Sequence, residues 1–165
     1  MRAETMLPLA LEGLDVERRL DLDVRKDLRR GEEPLSRIMA AVSGLGPGGV
    51  LVLRALFEPL PLYRVLGRRG LAHWTEQHGA DDWSVWFYPD LVVLDVRGLE
   101  PPEPMVHVLK ALDRLAPGQR LEVRHSRRPT LLYPQLEDRG FVHEADEPES
   151  GLVRIVVRQP TETAG

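Results

Sequence analysis

Between positions 97 and 133 the chain gathers Arg97, Arg124, His125, Arg127, Arg128 and Tyr133. Guanidinium groups present planar forks of N–H donors that match carboxylates and phosphates, and an imidazole or phenol nearby adds a directional hydrogen bond. The grouping points to a small anion or an acidic partner peptide. A thinner set lies upstream, with Arg25, Arg29, Arg30, Glu58 and Tyr63. The same arginines also suit a solvated, ion-paired surface. His125, His143 and Tyr133 suggest a second chemistry, that of a metal- or cofactor-dependent enzyme. No carboxylate or cysteine stands near them at a spacing diagnostic of a metal, so no metal, cofactor or catalytic group is expected. Asp23 and Asp95 each precede an arginine by two residues, which fits a turn at a strand end better than acid–base work.

The elements that must position these residues occur twice. A displacement of 70 residues lays Pro34 on Pro104, Leu62-Tyr63 on Leu132-Tyr133, Gly70 on Gly140 and His73 on His143. Upstream of Pro34 the displacement is 72, so Leu22-Asp23-Val24-Arg25 meets Leu94-Asp95-Val96-Arg97, and the first copy has the longer loop. So regular a match is an internal duplication. In each copy an alternating run, 20–24 or 91–96, reads as a strand. Leu35, Ile38, Met39, Val42 and Leu45 then form a helical stripe, repeated by Met105, Val108, Leu109, Leu112 and Leu115. Second strands are expected over 50–55 and 120–125, and short second helices from about Pro61 and Leu131. Gly70 and Gly140 sit where a left-handed residue ends a helix. Two hairpin strands close each copy, at 71–77 with 83–88 and at 141–145 with 152–157.

The fold class that follows is α+β, as tandem two-layer α/β sandwiches, each β-α-β-α-β-β with both helices on one face. The expected layout is an N-terminal extension over 1–19, a first domain over 20–89, a second over 90–159 and a disordered tail over 160–165. The first two strands of each copy should be parallel, so the loops after them emerge together beside the helix N-termini. Free N–H groups and helix dipoles there would favour an anion. His73 and His143 fit packing against the sheet. Strand alternation sends Trp83 and Val85 to one face and Trp86 and Tyr88 to the other. Those rings suggest an inter-domain or homodimer interface through Trp83, Trp86 and Tyr88.

The second copy resembles the TusA/SirA-like sulfur-carrier family. Leu94-Asp95, Gly98-Leu99, Pro102 and Pro104 match its Leu-Asp-x-x-Gly-Leu-x-Cys-Pro-x-Pro pattern. The resemblance implies this fold and a bacterial setting in sulfur, redox or respiratory metabolism. The family's persulfide cysteine falls on Pro101, and on Gly31 in the first copy, so sulfur transfer is not expected. Both copies look like a cysteine-free branch known only as a domain of unknown function, marked by a Pro-x-Pro-Leu-Tyr segment. Pro59-Leu60-Pro61-Leu62-Tyr63 matches that segment, and Pro129-Thr130-Leu131-Leu132-Tyr133 departs from it at the third position. That branch has no established reaction, and with no thiol to carry sulfur a non-enzymatic binding or adaptor role is expected.

Composition narrows the partners. A net charge of −4 argues against a dedicated nucleic-acid binder. The absence of cysteine excludes disulfides and thiolate chemistry. No apolar run approaches the ~20 residues of a bilayer span, so no membrane role is expected. Glu4 and Pro8 make the start read as a short extension rather than a signal peptide, and a cytoplasmic location is expected.

Overall fold

Leu51, Leu53 and Ala55 alternate along one strand, and all three are buried. A strand sends every second side chain to the same face, so this face must be covered. The computed structural model describes residues 7–8, 11–12 and 14–160. Positions 1–6, 9–10 and 13 of the N-terminal extension and positions 161–165 of the tail therefore lie outside the described residues. The chain divides between Asp90 and Leu91 into two compact units.

The first unit contains β1 (Arg19–Asp23), α1 (Arg25–Arg29), α2 (Leu35–Ser43), β2 (Val50–Ala55), α3 (Leu60–Gly67), β3 (Leu71–Gly79) and β4 (Asp82–Pro89). The second contains β5 (Leu91–Asp95), α4 (Glu103–Asp113), β6 (Arg120–His125), α5 (Leu132–Asp138), β7 (Val142–Glu149) and β8 (Leu152–Arg158). Each forms a four-stranded sheet, in the order β1-β2-β4-β3 or β5-β6-β8-β7. The first two strands of each unit run parallel, as a crossover helix requires, and the other pairings are antiparallel. The α+β tandem sandwich expected from the repeat is the observed architecture.

Both helices of a unit share one face of its sheet. Ile38 of α2 and Leu62 and Leu66 of α3 pack with Leu51, Leu53, Val85 and Phe87. Val108 and Leu112 of α4 and Leu132 and Leu136 of α5 pack with Leu121, Val123, Ile155 and Val157. Burying each such side chain stabilises the fold by about 1.5–3 kcal/mol before chain entropy is counted. The helical stripe is narrower than its spacing implies. Leu35 remains 40% exposed, and Leu45 and Leu115 lie beyond the ends of α2 and α4. Gly70 and Gly140 take φ of +81° and +82°, where a Cβ would be strained.

One feature departs from the expected element order. The longer loop of the first unit forms a further helix, α1, and Leu28 packs from it onto the core. The rings of Trp86 and Tyr88 are shut from solvent, at 5% and 1% exposure. Trp86 donates from Nε1 to Glu76 Oε1 at 3.2 Å, with the Arg19 guanidinium 4.7 Å above its ring. Tyr88 donates to the His73 carbonyl at 3.2 Å. Trp83 is half-buried on the Val85 side of β4.

Candidate functional site

The loops after β5 and β6 run side by side because those strands are parallel neighbours. Between them a cleft of about 670 Å³ opens at the start of α4 and α5. One wall is the β5–α4 loop with Leu99, Pro101 and Pro102, backed by Met105 and Val108 of α4. The opposite wall is the β6–α5 loop, with Arg127, Arg128, Pro129 and Leu131. His125, the last residue of β6, lines the cleft and is only 7% exposed. Pro101 is thus part of the cleft, two residues before α4. Gly31 lies in the turn ahead of α2, with φ +72°.

The arginines of the expected cluster separate into two groups. Arg97 donates to both carboxylate oxygens of Asp95, at 3.0 and 2.7 Å, while the Arg97 N–H binds Asp95 Oδ1 at 3.0 Å. Asp95 closes a turn at the strand end, and those hydrogen bonds hold its carboxyl at about 2. Asp23 and Arg25 repeat this arrangement, with Asp23 again at about 2, and Arg25 also reaches Asp82 at 3.4 Å. Arg124 points away from the helices and binds Glu122 at 3.0 Å. With Arg154–Asp146 and Arg158–Glu144 it belongs to an ion-paired outer face of the sheet. Arg25, Arg97 and Arg124 therefore already have carboxylate partners. Among the described residues Arg127 and Arg128, both exposed, form no ion pair, although the Arg128 charge helps to lower the Asp146 pKa.

Part of the backbone around the cleft has no free N–H for the expected anion site. Pro101, Pro102, Pro104 and Pro129 have no N–H to offer. The N–H groups of Leu99, Glu103, Thr130 and Leu132 are engaged by Val96, Glu100, Arg128 and Pro129 carbonyls. The Arg127 N–H donates to His125 Nδ1 at 3.3 Å. Side chains, rather than helix ends, carry the polarity here. Burial, reinforced by the Arg127 charge, holds the His125 pKa below the usual histidine range. With Nδ1 accepting, the neutral ring carries its proton on Nε2, which has no partner among the described residues.

Tyr133 and His143 do come together, but not with His125. Their rings stack with centroids 4.8 Å apart, and His143 Nε2 lies 3.3 Å from Glu137. The first unit has the same stack between Tyr63 and His73, at 3.6 Å. The repetition of both residue types at one displacement was the available signal for this pairing. His125 registers with Val153 and His143 with Val157, on opposite sides of β8. That register puts the two histidines roughly 16 Å apart at Cα, too far to share a metal. Among the described residues no three His, Asp or Glu side chains gather as a metal set.

The two units differ most at these loops. The first-unit counterparts of His125, Arg127 and Arg128 are Ala55, Phe57 and Glu58. Glu58 accepts a hydrogen bond from the Tyr63 hydroxyl at 2.9 Å, and Thr75 completes that hydroxyl's partners. Burial, with the Glu58 carboxylate adding to it, pushes the Tyr63 hydroxyl up to about 12. The buried hydroxyl of Tyr133 has no partner.

The molecule is a tandem duplication of a two-layer α+β unit, with a basic, proline-walled cleft in its second copy. The family of uncharacterized conserved proteins DUF2249 matches residues 21–89 and again residues 93–159, and the chain belongs to that family. No curated protein and no solved structure matches the chain. Among the described residues no helix is long and apolar enough to cross a membrane.

Proposed function

We infer that this protein is a non-enzymatic binding or adaptor module whose working surface is the cleft of the second unit. The observation that carries this reading is the pair Arg127 and Arg128, which form no ion pair with a described residue, beside a buried His125 that lines the cleft. The divergence from Ala55, Phe57 and Glu58 supports it, because a purely structural loop has no need to exchange an acid for a base. The ligand is a small anion or an acidic segment of a partner protein. A cytoplasmic, bacterial setting in sulfur, redox or respiratory metabolism is proposed on the likeness to TusA-type carriers. With Pro101 and Gly31 at the cysteine positions, the role is binding rather than carriage of sulfur.

A thermal-shift panel of carboxylates, phosphate, sulfate and glutamate-rich peptides tests the reading. Stabilisation of the wild type that is lost in Arg127→Ala/Arg128→Ala supports it. Binding that survives the double change unaltered rules this edge out.

A further inference from the structure

We propose that the cleft takes an amphipathic carboxylate, a small molecule with an apolar body and one acidic head. The inference rests on the binding-module reading above and narrows it to a ligand class. About 670 Å³ is the size of a small-molecule site rather than of a flat partner surface. Its walls are largely hydrocarbon, from Leu99, Pro101, Pro102, Met105 and Leu131. Leu131 is 76% exposed at the rim, a cost in water that an apolar ligand body would offset.

The head group follows from the count of donors. A phosphate is held by several backbone N–H groups at once; here four lining prolines offer none, and the amides of Leu99, Arg127, Thr130 and Leu132 are already engaged. A carboxylate needs fewer donors, and an arginine fork fits it in two parallel bonds. Arg127 and Arg128 supply that charge, and His125, which lines the cleft, can add the neutral donor of its Nε2–H. Glu100 is the one acidic lining residue, and it lies on the opposite loop. Like-charge repulsion therefore turns the head toward the β6–α5 loop and leaves the body along the proline wall.

Isothermal titration calorimetry on the full chain separates the parts, with octanoate, acetate, 1-octanol, inorganic phosphate and a glutamate-rich peptide as probes. Octanoate should bind at least tenfold tighter than acetate, phosphate or 1-octanol. Arg127→Ala/Arg128→Ala, changing only exposed side chains, should weaken octanoate at least tenfold while leaving 1-octanol unchanged. The His125 Nε2 resonance should shift on adding octanoate in an imidazole-detected NMR spectrum. Equal binding of octanoate and 1-octanol overturns the acidic head. Acetate, phosphate or the peptide binding as tightly as octanoate overturns the apolar body but leaves an anion-binding edge standing. No heat with any of the five probes overturns both this inference and the reading beneath it.

Discussion

Thr75 hydrogen-bonds the Tyr63 hydroxyl in the first unit, and its counterpart in the second unit is Ala145. Ala145 has no group to offer, and the Tyr133 hydroxyl is left buried and unpaired. Leaving such a group unsatisfied costs about 1–3 kcal/mol. The same substitution should therefore act oppositely in the two units. Tyr63→Phe should destabilise by about 1 kcal/mol, and Tyr133→Phe should be neutral or stabilising. Ala145→Thr should recover about 1 kcal/mol by restoring the missing partner. Urea unfolding of the three variants checks the pattern.

The glycines separate by backbone conformation. Gly70→Ala and Gly140→Ala place a side chain at positive φ and should each cost about 1 kcal/mol or more. Gly67 ends α3 with open space around its Cβ position. Gly67→Ala should gain up to about 1 kcal/mol. Midpoint shifts in denaturant at constant slope measure all three.

Acid should weaken the fold through its histidines. His125 and His73 both have pKa values held below the usual range, chiefly by burial. The folded state thus prefers the neutral ring. This contribution is fully present above the unfolded value of 6.5 and is lost as pH falls from there toward the lower folded pKa. Melting temperature should drop between pH 7.5 and pH 5. His125→Gln and His73→Gln should each flatten part of that drop, and the double variant more.

A further loss should appear lower on the pH scale. Asp23 and Asp95 are held at about 2 by hydrogen bonds from Arg25 and Arg97. Their contribution is present above the unfolded value of 3.8 and disappears as pH falls through about 2. Both carboxylates are largely exposed, so solvent screening keeps the effect small. Asp95→Asn should remove part of the slope between pH 4 and 2, read by circular dichroism.

How far the chain can be read in advance depends on the range of the interaction. Strand and helix order is written locally, in the alternation of 120–125 and the stripe through Val108 and Leu112, and it is legible. The duplication doubles that signal, since Gly70 and Gly140 mark the same helix end twice. Helix α1 hides in a run, 25–29, with only Leu28 as an apolar residue, too short for periodicity to register. The arginine cluster is legible as composition but not as geometry. Whether a guanidinium faces a cleft or a carboxylate depends on strand face and loop path, and Asp95 and Glu122 claim Arg97 and Arg124 before any ligand can. The Tyr–His stacks bring together side chains ten residues apart, from a helix and an edge strand, which no local pattern encodes.

All three tryptophans, Trp74, Trp83 and Trp86, lie in β3 and β4. Indole emission therefore watches only one half of the molecule, while far-ultraviolet dichroism watches both. If the halves melt separately, the two optical signals will part, and the gap between them will report the half that is dark to fluorescence.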